Sequence, residues 1–423
     1  MTAAARPRAA VVGSGVAGLT AAYILQRRFD VTLFEADDRL GGHAHTHEVV
    51  APDAGLMRVD SGFIVHNRVT YPNLIRLFAE LKVATQPTDM SMSVRCDGCG
   101  LEYAGACGLG GVFAQAGAAT RPAFLRMLFE INRFHRHARR VLATVDAETT
   151  LGRFLRQGGY SGYFTSHFMI PVVSAVWSAA PETALQYPAR YLFTFLANHG
   201  MLSVKGSHQW YSMVGGSRTY VEAVAKNLGA VRCSTPVRAV RRLGDRSGVV
   251  VTGPSGDETF DAAVIATHPQ TALAMLASPT GAETRALGRF GYSPNRTVLH
   301  TDAGVLPRSS RARASWNYLL PSCSAPGDRV LVSYDMNRLQ RLPSAEPYVV
   351  TLNANDRVAP ERVIAAMDYE HPIYTPASVA AQALLPGLND GLIAFAGAYH
   401  GWGFHEDGCR SGVAAAASLG VDW

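Results

Sequence analysis

The sequence predicts an α/β fold built on a parallel sheet, and three observations predict it. An apolar run at residues 9–12 opens into Gly13-Ser14-Gly15-Val16-Ala17-Gly18, after which Leu19, Ala22, Tyr23 and Leu25 recur at helical spacing. A second apolar run, residues 31–34, ends in an acid, Glu35. Later apolar runs at residues 260–266 and 392–397 read as further buried strands of the same kind. At 423 residues the chain is long for one domain, so two interlocked domains are expected.

Each element of the opening unit has a chemical reason. Gly13 permits a tight turn, Gly15 leaves room for a pyrophosphate against the backbone, and Gly18 lets helix and strand pack closely. The helix start, with Ser14, Val16 and Ala17, offers unpaired N–H groups to an anion. Glu35 is placed to accept hydrogen bonds from a ribose and disfavours a 2′-phosphate. To this point NAD and FAD are equally allowed.

Arg39-Leu40-Gly41-Gly42 follows directly. With it the sequence resembles the flavin-containing amine oxidase superfamily, whose members share an R-x-G-G segment here. The resemblance implies a glutathione-reductase-like, FAD-binding Rossmann domain interlocked with an α+β substrate domain. The first would comprise residues 1–66, 210–275 and 385–423, and the second residues 67–209 and 276–384. Gly41 and Gly42 would pass beneath the cofactor and Arg39 would approach its pyrophosphate. Ala36, His43, Gly62, Phe63 and Val237 would line the remainder, Val237 on the adenine side. In the last segment Gly397, Ala398, Phe404, His405 and Gly408 would face the flavin, with Gly408 and Gly412 forming the G-x-x-x-G of the closing helix. The helix dipole there would favour the negative charge that reduction places near flavin N1. Ala398 stands where the family often has an acid for the ribitol.

Between these segments the chain is less explicit. His43, His45 and His47 alternate, and a flavin-lining loop is preferred to a metal site because no ligand pair follows nearby. Residues 59–65 read as a strand whose Gly62 marks a close backbone approach, expected to be to the flavin ring. A helix starts at Pro72. Cys96-Asp97-Gly98-Cys99 reads as a solvent-facing hairpin turn between strands at 92–95 and 101–103. A closed zinc site would need two more ligands, which Cys107 alone does not supply, so no metal is expected. Residues 124–142 form a basic amphipathic helix with Phe124, Met127, Leu128, Ile131, Phe134, Ala138 and Val141 on one face. It suits either the protein's own core or peripheral contact with an anionic membrane. Residues 159–180 and 187–210 are rich in aromatic side chains that would line an apolar tunnel or fill a core. Further on, residues 215–228 read as a helix, and residues 231–240, 248–251, 297–302 and 329–335 as strands.

No transmembrane-length apolar run, export signal or nucleic-acid motif is present, and six unevenly spaced cysteines argue against a disulfide framework. A cytoplasmic protein is expected, peripheral to the inner face of the membrane if the basic helix docks there. The net charge of +6 comes almost wholly from arginine. No lysine follows Lys226, although in many amine oxidases a lysine of this region holds a water at flavin N5.

More narrowly, D-x-G-F-I-V-x-N at Asp60–Asn67, Y-P-N-L at 71–74, W-N-Y at 316–318 and G-F-H-E-D-G at 403–408 resemble a bacterial flavoprotein group found beside cyclopropane-fatty-acid-synthase-like methyltransferases. That resemblance implies an FAD-dependent oxidoreductase that desaturates a hydrophobic or lipid substrate, with a lipid methyltransferase as partner. Amine oxidation, double-bond isomerisation and a non-catalytic role beside the methyltransferase are the alternatives. His66, His300, Tyr399, His400 and His405 are the candidate catalytic residues, histidine being favoured because its pKa lies near working pH.

Overall fold

The computed structural model describes residues 5–143, 149–203, 207–323 and 329–423. Its centre is a five-stranded parallel sheet in the order Ala230–Arg232, Asp30–Phe34, Arg8–Val12, Ala262–Ile265, Ile393–Phe395. The strands read as continuous apolar runs because both faces are covered, and Ala9, Ala10, Val11, Leu33, Val264 and Ile265 are fully buried.

The helix Val16–Leu25 is buried on nearly every side. One cover is the closing helix His405–Ser418, which approaches because two glycines leave out their side chains. A Cβ on Gly412 would lie 2.4 Å from the Ala17 carbonyl oxygen, and one on Gly408 would lie 2.6 Å from Val16 Cγ1. The G-x-x-x-G of this helix is therefore a packing device against the first helix, and Gly408, expected at the cofactor, faces Val16.

A three-stranded antiparallel sheet, Ala239–Arg242, Val249–Gly253 and Gly256–Phe260, lies beside this core. The run at 231–240 is thus two strands. Ser234, at φ +49°, breaks it, and the Ser234 and Thr235 N–H groups bond instead to the Asp37 and Glu35 carbonyls.

The second large sheet has seven strands in the order Val363–Ile373, Gly291–His300, Val349–Leu352, Val332–Asp335, Trp316–Leu320, Met92–Cys96, Glu102–Gly105. The hairpin expected around Asp97-Gly98 is present. Beneath it, the helix Pro122–Leu142 buries Phe124, Met127, Phe134 and Ala138 against the helix Ala189–Asn198 and its neighbours. Most of the aromatic residues of 159–180 and 187–210 join the same core, with Phe164, Tyr187 and Phe193 fully buried; residues 204–206 lie outside the described residues. These side chains fill space by edge and tilted ring contacts, so along most of their length they are a core. No helix among the described residues is long and apolar enough to cross a membrane.

Candidate functional site

The site is assembled at the carboxyl ends of the parallel strands. Gly13, at φ +98°, turns the chain where a Cβ would strike the Ala266 carbonyl oxygen at 2.8 Å. Gly15 is the N-cap of the first helix, and no side chain caps it. A Cβ at Gly15 would meet no protein atom within 4 Å, so the fold leaves room beside the helix start. Glu35 Oε2 accepts from the Ser14 N–H at 2.8 Å and hydroxyl at 2.5 Å, and Oε1 accepts from the Asp37 N–H. A carboxylate offers about four acceptor positions, so one remains for a ribose hydroxyl. Val237 follows the stretch tied to Glu35, while Ala36 beside it is exposed.

Gly41 and Gly42 both take positive φ and lie against this turn: Gly41 N–H bonds to Ser14, and a Cβ on Gly42 would lie 3.1 Å from Gly15 Cα. Arg39 donates to the Gly42 carbonyl at 2.9 Å. Gly62 does mark a close backbone approach, but to His43, whose carbonyl oxygen would be 2.0 Å from a Cβ there and accepts from Phe63 N–H. The glycine is needed by the protein's own backbone at His43, itself a residue expected to line the flavin.

The closing segment completes the ring. His405 opens the last helix, stacks on Phe63 at 3.6 Å between centroids and has an unpartnered Nε2. Burial, with His43 and His66 nearby, holds His405 well below the ordinary histidine pKa. His66 is fully buried, neither ring nitrogen has a partner, and burial with Arg68 nearby lowers its pKa to about 4. Burial keeps both imidazoles neutral at pH 7, with both ring nitrogens of His66 and the Nε2 of His405 lacking a protein partner. Phe404 stacks on Phe195 at 4.8 Å, and Trp177, Tyr191 and Trp402 extend that aromatic wall.

Two candidates fall elsewhere. His300 bonds Thr351 Oγ1 at 2.7 Å and accepts from Asp302 N–H. It pairs with Val363, whereas His371 pairs with Ser293 on the same strand and touches His43 at 5.0 Å. Seven residues of strand separate these two positions, roughly 23 Å. Tyr399 is buried against Phe290 and the Gly397 backbone, in the core behind the sheet. His400 beside it is half-buried with Nε2 unpaired, and burial lowers its pKa to about 4. Gly397 donates to Ser411 Oγ, and Ala398 lies near Gly408.

The sequence reading missed His371 and Tyr369. Tyr369 binds His45 Nδ1 at 2.9 Å and Ser61 Oγ at 2.7 Å, and His47 Nε2 takes Ser61 Oγ at 2.8 Å, so hydroxyls occupy these ring nitrogens. Alternation along Ala365, Met367, Tyr369 and His371 was the available signal. Asp60 was missed as well: it is buried, accepts from Ser217 N–H, Ser217 hydroxyl, Thr46 and Gln340, and burial lifts its pKa to about 6.

The sequence model of the flavin containing amine oxidoreductase family matches residues 16–419. The chain belongs to that family. A protein named as a flavin-containing monoamine oxidase, AofH, of Mycobacterium tuberculosis is 29% identical over 288 residues, covering 64% of this chain and 58% of that one. The chain thus spans 58% of the length of the curated relative it matches. Cyclohexylamine oxidase from Brevibacterium oxydans superposes with a TM-score of 0.70 at 16% identity over 98% of both chains. A fatty acid isomerase from P. acnes gives 0.66 at 14% identity over 96% of this chain and 97% of that one. At these identities the likeness is one of fold.

Family membership implies a flavin, typically FAD, and the residues fit it: an uncapped helix start, a glycine whose Cβ would project into open space, and a free acceptor position on Glu35. Residues 13–18 and 39–43 would hold the pyrophosphate, Glu35 the ribose, and Phe63, His405 and the closing helix the ring system.

Proposed function

We propose that this flavoenzyme dehydrogenates a hydrophobic substrate, an acyl chain of a phospholipid, to an alkene. The observation that carries the reading is the commitment of both carboxylates beside the aromatic wall. Glu406 accepts from Asn73 N–H, Asn73 Nδ2 and Leu74 N–H, and so caps the helix Pro72–Glu80. Asp407 accepts from Phe404 N–H and Arg410. Around Phe404 and Trp402 the neighbouring rings are Trp177, Tyr191, Phe195 and His199, with the Trp402 indole N–H and the Tyr374 hydroxyl without a partner. Such a lining, with both carboxylates already engaged by protein donors, suits a hydrocarbon, which is recognised by shape.

Desaturation removes a hydride from one carbon and a proton from the next, and a bound flavin supplies the hydride acceptor. The neutral lone pairs of His66 and His405 are the groups available for the proton. Tyr71, Phe78 and Tyr211 pack around His66, and Phe63 and Tyr220 pack against His405, which shields both from water.

Access from a bilayer fits the outer face of the helix Pro122–Leu142. Leu125 is 43% and Phe129 65% exposed, one turn apart, with exposed Arg126, Arg136, Arg139 and Arg140 on the same helix. Apolar residues with arginines beside them suit an anionic lipid surface.

The test is mass spectrometry of lipids from cells with and without the gene. An alkene-bearing acyl species that depends on the gene supports the reading. Amine metabolites changing while lipids stay constant would replace it with amine oxidation. A shifted double bond without added unsaturation would replace it with isomerisation.

A further inference from the structure

Outside the flavin region, one group of side chains converges from parts of the chain that sequence spacing does not connect. Cys96 ends the strand Met92–Cys96, and Cys99 closes the following turn. Cys323 lies just beyond the strand Trp316–Leu320, whose last residue pairs with Cys96. His167 comes from the helix beneath, within the π turn Thr165–Met169. All four donor atoms lie within 4.8 Å of one another.

We propose that Cys96, Cys99, His167 and Cys323 form a structural zinc site. The sequence reading set zinc aside for want of two ligands; His167 and Cys323 are those ligands.

The geometry fits the ion. Zn–S bonds of about 2.3 Å and a Zn–N bond of about 2.0–2.1 Å make tetrahedral edges of about 3.8 Å between sulfurs and about 3.5 Å between sulfur and nitrogen. Cys96 Sγ lies 3.5 Å from Cys323 Sγ, and Cys99 Sγ lies 3.6 Å from His167 Nε2. The sulfur separation is well beyond a disulfide bond of about 2.05 Å.

The surroundings fit as well. His167 Nδ1 faces the Tyr163 carbonyl at 3.3 Å and Ser166 Oγ at 2.8 Å, so its proton sits there and Nε2 presents a lone pair to the cluster. Tyr163 stacks on the ring at 3.9 Å and fixes its plane. The Cys99 N–H faces the Cys96 sulfur and the Leu101 N–H faces the Cys99 sulfur. Gly100 takes φ +65° directly after the second cysteine, and a Cβ on Gly98 would lie 2.9 Å from Cys323 N, so the turn wraps closely around the fourth ligand. Three thiolates and one Zn²⁺ leave a single negative charge, and Arg121 reaches in to the Cys99 carbonyl at 3.1 Å.

Four protein ligands leave no open position, and Cys96 and His167 are buried, so the ion would be structural. It would staple the hairpin, the helical layer and a strand end 227 residues away in sequence. A π turn widens the helix locally at the ligand, a distortion often found where a side chain must be aimed.

The experiment is metal analysis of the full chain, expressed with added zinc and purified without chelators. About one zinc per chain is expected, released when a mercurial blocks the cysteines. His167→Ala and Cys323→Ser should lower zinc per folded chain at least about tenfold and lower the melting temperature, with flavin per folded chain retained. Cys107→Ser and Cys233→Ser should keep the zinc. Should the ligand variants not fold, cobalt(II) added to zinc-stripped native protein should give the visible bands of a tetrahedral thiolate site. Zinc far below stoichiometry in flavin-replete protein with no cobalt bands, a stoichiometric metal other than zinc, or a Cys96–Cys323 disulfide found by mass spectrometry would each overturn the assignment.

Discussion

Gly15→Ala separates cofactor binding from folding. The residue sits at φ −62° and ψ 173°, which alanine adopts freely, and the added Cβ would meet no protein atom within 4 Å. Folding stability should therefore hold or rise by about 0.4–1 kcal/mol. The methyl would instead occupy the space where a pyrophosphate must approach the uncapped helix start. Moving that group away forfeits one or two charge-assisted hydrogen bonds of about 1.5–3 kcal/mol each. The expected loss is about 3 kcal/mol, or roughly a hundredfold in FAD affinity. Isothermal titration of the apoprotein with FAD, beside thermal melts without it, reads both quantities. Gly18→Ala is the contrast, because its Cβ would lie 1.9 Å from the Gly13 carbonyl oxygen and should cost both fold and flavin. Unchanged FAD affinity in a stable Gly15→Ala protein would refute the placement of the pyrophosphate.

Other outcomes follow from the same structure. His66→Asn should leave flavin content intact and lower turnover by about 10²–10⁴-fold, whereas His300→Asn should cost stability while activity per bound flavin is retained; steady-state rates normalised to flavin absorbance read the difference. Four buried histidines, His66, His135, His199 and His300, have pKa values lowered to about 4 by burial. The unfolded chain binds their protons from about pH 6.5 downward, so each contributes stability that is lost on acidification between 6.5 and 4, by up to about 1.4 kcal/mol per pH unit. Asp60 and Asp407, raised to about 6, act in the opposite sense over the lower part of that window, and the histidines outnumber them. Melting temperature should accordingly fall as pH drops from 6.5 to 5; a flat or rising profile would contradict the neutral histidines. Leu125→Asp with Phe129→Asp should abolish co-sedimentation with anionic vesicles without changing the melting temperature.

Where the sequence was legible, the signal was local. The strand, glycine turn and helix of residues 9–25 lie within one contiguous stretch; Gly13 and Gly18 stand where φ or a close approach demands, and Gly15 stands where the fold leaves room for a pyrophosphate. Glu35 and Arg39 to Gly42 follow in the next seventeen residues. What escaped was set by pairing over long separations. Tyr369 and His371 reach His43 only through a strand pairing more than three hundred residues downstream, and nothing near them in sequence announces it. Gly62 showed correctly that a backbone comes close, but a missing Cβ does not say whose backbone it is. The pair Cys96 and Cys99 was visible, and its other two candidate ligands were not, because Leu320 and Cys96 become neighbours only when the sheet forms. His300 illustrates the converse: its residue type made it a candidate, and it satisfies Thr351 and Asp302 within the sheet.

The most direct measurement mixes the flavin-loaded enzyme anaerobically with phospholipid vesicles and, separately, with primary amines. Bleaching of the flavin absorbance by the phospholipid, with an alkene in the recovered acyl chain and no bleaching by amines, is the predicted result. Bleaching by amines alone would contradict it.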